Sequence, residues 1–138
     1  MSQLVVLLVR QGKTDYGLSC EAACVRFFDG AMNRGGYEVA DSPERASVIF
    51  SRDRSINLVL ICAKKMPDDP KNDPTFALAG QLRTFWGDPP SDPQIYILVV
   101  SEDAAVREKF VLAGCHDGID LAHVVSRLDT VRDVVRPR

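Results

Sequence analysis

The sequence lacks a transmembrane segment, an N-terminal targeting signal and an excess of charge of either sign. No apolar run approaches the roughly 20 residues of a membrane-spanning helix. The first run, LVVLLV at 4–9, is too short for a signal peptide and follows no basic segment. We therefore expect a cytoplasmic protein. The net charge of −2 gives no electrostatic reason to predict binding to nucleic acid or to an anionic membrane.

Cysteine and histidine are also scarce, and their spacing fits no common metal site. The chain has four cysteines and two histidines, namely Cys20, Cys24, Cys62, Cys115, His116 and His123. No two cysteines form a CxxC motif, and the first two have the i, i+4 spacing of a helix face. The pattern favours buried, reduced thiols that act as small apolar residues. A disulfide framework and a zinc site are the alternatives, and we predict neither.

Short apolar segments alternate with amphipathic ones along the chain, and its 138 residues fit one domain. Five segments have the β-branched, apolar character of buried strands, namely LVVLLV (4–9), YEVA (37–40), NLVLICA (57–63), IYILVVS (95–101) and CHDGI (115–119). Because parallel strands need helical crossovers, the alternation predicts a parallel sheet covered on both faces. We predict an α/β fold, a single (βα)5 doubly wound sheet with strand order 2-1-3-4-5.

Turn and capping residues predict where the helices begin and end. The predicted starts are Ser19 for the first helix, Ser42 with Pro43 for the second, and Asp103 or Ser101 for the fourth. The predicted ends are Gly35 and Gly36 for the first helix and Gly114 for the fourth. The inner face of the third helix is predicted at Leu78, Leu82 and Phe85. That of the last helix is predicted at Leu121, Val124, Val125, Leu128, Val131 and Val135.

Three segments from residue 57 onwards, NLVLICAKKMP, IYILVVS and VLAGCHDGI, follow one another in an order and spacing typical of a known family. They resemble a response-regulator receiver domain, whose fold is flavodoxin-like or CheY-like. The Met66-Pro67 pair and the run from Ala113 and Gly114 to Asp117 are the most specific parts of the resemblance. It covers about 3–135, so we predict a receiver-like domain at 1–135 and a C-terminal tail or linker start at 136–138.

The resemblance implies phosphoryl transfer to an aspartate at the end of the third strand, assisted by a divalent cation. Most positions that such chemistry needs hold other residue types in this sequence. The acidic pair falls on Arg10 and Gln11, the phosphoacceptor on Cys62 or, with a slip of one residue, Ala63, the lysine on Leu121 and the aromatic switch residue on Gly118; only Ser101 matches. Magnesium requires oxygen ligands, so we expect no metal, no cofactor and no catalytic residue in this degenerate phosphorylation pocket.

Two hypotheses concern single positions of that pocket. Cys62 could be a reactive or redox-sensing thiol whose pKa is lowered by Arg10 and Lys64, or simply a small residue that fills the space of an aspartate. Ser101 could retain its place in the pocket or act only as a helix N-cap.

Adjacent apolar residues on the predicted fourth helix indicate an interaction surface. Phe110, Val111 and Leu112 cannot all face the core, and Val134 is displaced from the apolar stripe of the last helix. In receiver domains, the face of helix 4, strand 5 and helix 5 is the usual dimerisation surface. We therefore predict a pseudo-receiver that acts through a protein partner in a signalling pathway or as a homodimer, without contacting nucleic acid or membrane itself. The alternatives are a flavodoxin-like sensor that binds a small ligand or cofactor, and the N-terminal regulatory domain of a DNA-binding transcription regulator.

Overall fold

The computed structural model describes residues 4–10, 14–29, 35–53, 55–66, 68–85 and 96–132. Within these ranges the strands are β1 (Leu4–Val9), β2 (Gly35–Ala40), β3 (Leu58–Cys62), β4 (Tyr96–Val100) and β5 (Asp117–Ile119). They form one sheet with the order β2-β1-β3-β4-β5, and every neighbouring pair is parallel. The predicted α/β fold and strand order are confirmed.

Helices cover both faces of the sheet. They are α1 (Asp15–Phe28), α2 (Pro43–Arg52), α3 (Pro74–Phe85), α4 (Ala104–Ala113) and α5 (Val124–Arg132). One hydrophobic core lies between the sheet and α2, α3 and α4, and a second lies between the sheet and α1 and α5. Neighbouring residues of β1 divide between these cores, with Leu7 in the first and Leu8 in the second. A strand buried on both faces has to be apolar throughout, which explains the uninterrupted run LVVLLV.

The first helix begins and ends earlier than predicted. Its N-cap is Thr14, whose side chain accepts a hydrogen bond from the Gly17 N–H at 3.1 Å. Ser19 lies inside the helix, where its hydroxyl donates to the Asp15 carbonyl. Threonine and serine are both common caps, and Thr14 is the one with extended backbone angles. Gly35 and Gly36 do not end the helix, because they pair with β1 as the first residues of β2.

Other predicted helix boundaries agree with the structure. Ser42 caps α2 by accepting from the Arg45 N–H at 3.1 Å. For α4, the cap is Asp103 rather than Ser101, since the Asp103 carboxylate accepts from the Ala105 N–H at 2.9 Å. Gly114 ends α4 with φ of 141°, a conformation that side-chain-bearing residues rarely adopt.

The last helix is preceded by a short 3-10 helix, Leu121–His123. Val124, Leu128 and Val131 are buried as predicted, whereas Val125 is exposed. Several predicted positions lie outside the described residues or side chains, namely Gln11, the side chain of Phe85, Val134, Val135 and the tail 136–138. In the part of the chain that is described, no helix has the length and apolar character needed to cross a membrane.

Candidate functional site

The carboxyl ends of β1, β3 and β4 bring Arg10, Cys62 and Ser101 to the same edge of the sheet. Backbone hydrogen bonds fix this register, because the Arg10 N–H donates to Ala40 and the Ser101 N–H donates to Ile119, each at 2.9 Å. Loops at this edge carry the functional groups in open α/β folds. These three residues, with the side chains around them, are called the strand-end site below.

Arg10 occupies the strand-end site as a buried, ion-paired cation, with only 7% of the residue exposed. Its Nε lies 2.7 Å from Asp41 Oδ1, and its Nη1 lies 3.4 Å from Glu21 Oε1. The hydrogen bond that Arg10 donates to Asp41 is the main reason why the pKa of Arg10 is raised, despite the opposing effect of burial. The acidic groups at this site therefore neutralise a fixed guanidinium.

Sequence reasoning missed both carboxylates. Asp41 directly follows β2, so its position at the end of the strand beside β1 was a usable signal. Glu21 lies on α1, one residue beyond the buried Cys20, and only the packing of that helix brings it to Arg10.

The first turn of α1 packs closely against Arg10. A Cβ atom at Gly17 would lie 3.0 Å from Arg10 Cβ and 3.1 Å from Thr14 Oγ1, closer than ordinary contact distance. Glycine thus permits the helix start to approach the arginine side chain.

Cys62 is buried at the end of β3, with 5% of the residue exposed. A hydrogen bond with Cys20, burial, and the nearby Cys20 and Cys24 thiols raise the pKa of Cys62 well above its ordinary value; Arg10 lowers it by a smaller amount. The hypothesis of a thiol with a lowered pKa is therefore wrong, because burial and the thiol contacts outweigh the arginine.

Ala63 and Ser101 are enclosed by backbone and side-chain contacts. The Ala63 N–H donates to the Val100 carbonyl at 2.9 Å, which continues the β3–β4 pairing. Ser101 is fully buried, and its hydroxyl accepts from the Asp103 N–H at 3.2 Å. The Ser101 carbonyl also accepts from Arg107 Nη1 at 2.6 Å. Ser101 thus supports the loop that leads into α4.

Tyr16 and Glu102 connect α1 to the segment after β5, and neither was predicted from the sequence. The Tyr16 hydroxyl lies 3.5 Å from Glu102 Oε1, and the same oxygen accepts from the Leu121 N–H at 3.0 Å. Burial is the main cause of the raised pKa of Tyr16, and the neighbouring Cys20, Glu102 and Cys62 side chains add to it. Leu121 packs partly buried against the α1–α5 core, where the resemblance implies a lysine.

Gly118 lies in β5 beneath the side chain of Arg107. A Cβ atom at residue 118 would come within 2.7 Å of Arg107 Cβ and 3.1 Å of Val99 Cγ1. The space of the aromatic switch residue is therefore covered by Arg107, and any side chain at 118 requires that arginine to move.

The predicted interaction surface divides into buried and exposed residues. Phe110 is buried and stacks edge-on against Phe76, with 5.0 Å between ring centroids, so it cannot contact a partner. Val111 is 36% exposed and Leu112 is 82% exposed. The fourth predicted member, Val134, lies outside the described residues. In the described ranges, no three histidine, cysteine, aspartate or glutamate side chains form a group that could hold a metal ion.

No protein-family model and no curated protein matches this sequence. Solved structures do match its fold. A Francisella response regulator 1452 receiver domain is 13% identical with a TM-score of 0.64, over 95% of this chain and 98% of that one. An atypical orphan response regulator with a phosphorylation-independent regulatory mechanism is 14% identical with a TM-score of 0.62, over 98% and 100%.

A third match is the receiver domain of the Saccharomyces cerevisiae response regulator Ssk1, solved with the histidine phosphotransfer signaling protein Ypd1. It is 17% identical with a TM-score of 0.63, over 95% of this chain and 87% of that one. At these identities the similarity concerns the fold, and the protein has the α/β fold of response-regulator receiver domains.

Proposed function

We propose that this protein is a pseudo-receiver that works in signal transduction through protein–protein interaction, without being phosphorylated. The observation that carries the proposal is the buried Arg10 ion-paired to Asp41 and Glu21 at the end of β1. A dication at that position would meet a fixed positive charge, and displacing the guanidinium would leave it buried without its partners. Cys62, at the end of β3, offers a protonated thiol in place of a carboxylate.

The fold similarity supports this proposal from a second direction. One of the matching structures is an atypical orphan regulator with a phosphorylation-independent mechanism, and another was solved with a protein partner. The receiver fold can persist without its chemistry because its two cores are built from apolar residues of the sheet and helices, which pack whatever residue types stand at the strand ends. We propose that this chain also acts through protein contacts without phosphorylation, and we assign it no particular partner.

The interaction surface that we propose is the exposed apolar pair Val111 and Leu112 on α4. Leu112 is exposed over most of its surface. Its neighbours Glu108 and Lys109 on the same helix are exposed too, so the apolar pair has a charged border. A central apolar contact with a polar rim is the common arrangement of protein interfaces. Either a signalling partner or a second copy of the chain fits this chemistry.

Phosphorylation is tested by incubating the protein with acetyl phosphate and Mg²⁺ and measuring its intact mass. We expect no phosphoryl adduct, while an active receiver domain treated in parallel gains one. A calorimetric titration of the protein with Mg²⁺ should show no saturable binding of the ion in the millimolar range. A stable acyl phosphate on this chain would overturn the proposal.

The surface is tested with Leu112→Glu, using Leu18→Glu on α1 as a matched control because Leu18 is also an exposed leucine. If the chain self-associates, its concentration-dependent mass by light scattering should fall towards the monomer only in Leu112→Glu. If it does not, co-purification of a partner from the source cells should be lost only in that variant. Equal behaviour of the two variants would exclude the α4 surface.

The flavodoxin-like ligand-binding alternative gains no support at the strand-end site, because Arg10, Cys62 and Ser101 are buried there by other side chains. The DNA-binding alternative depends on sequence beyond residue 138.

A further inference from the structure

Helix α4 lies directly against β5, with no side chain between them at residue 118. A Cβ atom at Gly118 would come within 2.7 Å of Arg107 Cβ, 3.1 Å of Arg107 Cγ and 3.1 Å of Val99 Cγ1. Among the described residues, positive φ occurs at Gly114 and not at Gly118, so the backbone conformation at 118 does not require glycine. The missing side chain at 118 matters because it lets the helix approach the strand.

The end of α4 makes a second contact of the same kind, on the side of α3. A Cβ atom at Gly114 would lie 2.8 Å from the backbone nitrogen of Gly80, and one at Gly80 would lie 3.1 Å from the Ala113 carbonyl oxygen. Because Gly80 belongs to α3, the end of α4 is packed closely on that helix. Close contacts therefore fix α4 against β5 near its start and against α3 at its end.

The side chain of Arg107 fastens the start of α4 to the sheet. From the first turn of α4, its Nη1 donates a hydrogen bond of 2.6 Å to the Ser101 carbonyl, directly after β4. A hydrogen bond from a charged donor is stronger than one between neutral groups. If α4 moved away from the sheet, the half-buried guanidinium would lose this acceptor.

The loop between β4 and α4 is bonded to β5 and to the segment that follows it. The Ser101 N–H donates to the Ile119 carbonyl at 2.9 Å, and Glu102 Oε1 accepts from the Leu121 N–H at 3.0 Å. Both contacts hold the loop that leads into α4 in place. The acceptor of the Arg107 side chain is therefore itself fixed to the edge of the sheet.

We propose that Arg107 and Gly118 form a latch that holds α4 in a single position against β5. The guanidinium supplies the attraction, and the glycine supplies the space in which the aliphatic part of the arginine lies. The α4 surface with Val111 and Leu112 is then displayed permanently and is not exposed by a conformational change. The latch is a property of the fold, whereas the binding of a partner to that surface rests on the proposed function.

Two variants remove the latch from its two sides. Arg107→Met removes the guanidinium but keeps an unbranched side chain over the glycine, and Gly118→Ala places a methyl group where the helix lies too close to accept it. Each has a matched control. Lys109→Met removes a positive charge from an exposed position of the same helix. Gly36→Ala adds a methyl group in β2, where a Cβ atom meets nothing within 4 Å.

The measurement is amide hydrogen exchange of the full chain, followed residue by residue in the wild type and the four variants. Amides of residues 108–113 report opening of α4, and amides of β3 report unfolding of the whole sheet. Relative to β3, we expect α4 to exchange about tenfold faster or more in Arg107→Met and Gly118→Ala. In the two controls, this ratio should stay within about twofold of the wild type. A general loss of stability would accelerate both segments equally.

The proposal is overturned if α4 and β3 accelerate by the same factor in Arg107→Met, if neither changes, or if Lys109→Met has the same effect. NMR relaxation dispersion of the wild type is an independent test, because we expect no exchange on the microsecond-to-millisecond scale at residues 101–113. Exchange there would also overturn the latch. If Gly118→Ala fails to fold, Arg107→Met and the wild-type measurement still decide. Neither measurement involves phosphate or a partner, so the latch and the proposed function can fail separately.

Discussion

Arg10 and Asp41 form the central ion pair of the strand-end site, with 2.7 Å between Arg10 Nε and Asp41 Oδ1. The pair joins the end of β1 to the residue after β2, while Glu21 adds a second, longer contact from α1. The arginine is buried, whereas 58% of the Asp41 side chain is exposed. The free-energy cost of breaking this ion pair therefore comes mainly from leaving the buried Arg10 guanidinium without its partner.

Replacing Asp41 by asparagine should destabilise the fold, because the buried Arg10 would lose its main charged partner. Solvent reaches Asp41, so we expect a cost of about 1–2 kcal/mol, below that of breaking a fully buried pair. The measurement is urea unfolding followed by circular dichroism. Glu108→Gln is the control, since Glu108 is an exposed acid on α4; we expect a change within about 0.5 kcal/mol. Equal midpoints for the two variants would contradict a structural role for the ion pair.

Asn57 is the buried polar residue that aligns the start of β3 with its neighbours. Its Oδ1 accepts from the Val5 N–H at 2.9 Å, its N–H donates to the Val5 carbonyl, and its carbonyl accepts from Tyr96. Asn57→Ala would leave the Val5 N–H without an acceptor among packed strands, and we expect a cost of about 1–3 kcal/mol. Urea unfolding is again the measurement.

Asn72→Ala is the matched control, because Asn72 is exposed and its side-chain amide donates to a neighbouring aspartate, Asp69, at 2.7 Å. We expect a change within about 0.5 kcal/mol there. If both asparagine variants unfold at the same urea concentration, the Asn57 hydrogen bond does not stabilise the sheet.

The strands of the sheet and their order could be predicted from the sequence because the strands are short, apolar and separated by amphipathic helices. The inward residues Val124, Leu128 and Val131 of α5 and the stop at Gly114 are likewise local signals that the structure confirms. Helix starts were less certain wherever two capping residues lay close together. Ser19 was predicted to cap α1, but Thr14 caps it, and of the two candidates for α4 the cap is Asp103; backbone angles that the sequence does not encode locally decide these starts.

The strand-end site could be predicted only in part, for a different physical reason. The absence of carboxylates at positions 10 and 62 is visible in the sequence, as is the positive charge of Arg10. Its partners come from other elements, with Asp41 after β2 and Glu21 on α1, and the pairing depends on tertiary packing. The same limit explains why the hypothesis of a lowered Cys62 pKa is wrong while its reading as a small buried residue stands, since the contacts with Cys20 and the burial that raise its pKa arise only after α1 docks.

Gly114 and Gly36 provide a comparison of two glycines with opposite requirements. At Gly114, φ is 141° and a Cβ atom would lie 2.8 Å from the Gly80 backbone nitrogen, so both strain and a backbone clash oppose a side chain. We expect Gly114→Ala to cost about 2–5 kcal/mol. At Gly36, a Cβ atom would meet nothing within 4 Å. Gly36→Ala should leave stability unchanged or raise it by up to about 1 kcal/mol.

Thermal unfolding of the two glycine variants in the same buffer is the measurement. No loss in Gly114→Ala would contradict the close packing of α3 against the end of α4, and a large loss in Gly36→Ala would contradict the open space beside that residue in β2.

Asp117 should make stability depend on pH in the acidic range. Burial opposes ionisation of its carboxyl, but hydrogen bonds from Arg127 and the Gly118 N–H prevail, so the pKa of Asp117 is lowered in the folded protein. A group with a lowered folded pKa stabilises the protein above its unfolded pKa of about 3.9, and this contribution is lost as pH falls through the folded value. Half of the Asp117 side chain is exposed, so we expect less than about 1 kcal/mol.

The variant Asp117→Asn keeps an oxygen that can accept from the Gly118 N–H but removes the charge that faces Arg127. We expect the wild type to lose its advantage over this variant between about pH 5 and pH 2, and to keep it unchanged from about pH 5 to pH 7. Urea midpoints measured for both proteins across that range give the difference directly. Because other carboxylates titrate equally in the two proteins, a difference that stays constant down to the lowest pH would show that Asp117 and Arg127 do not interact as charges in the folded state.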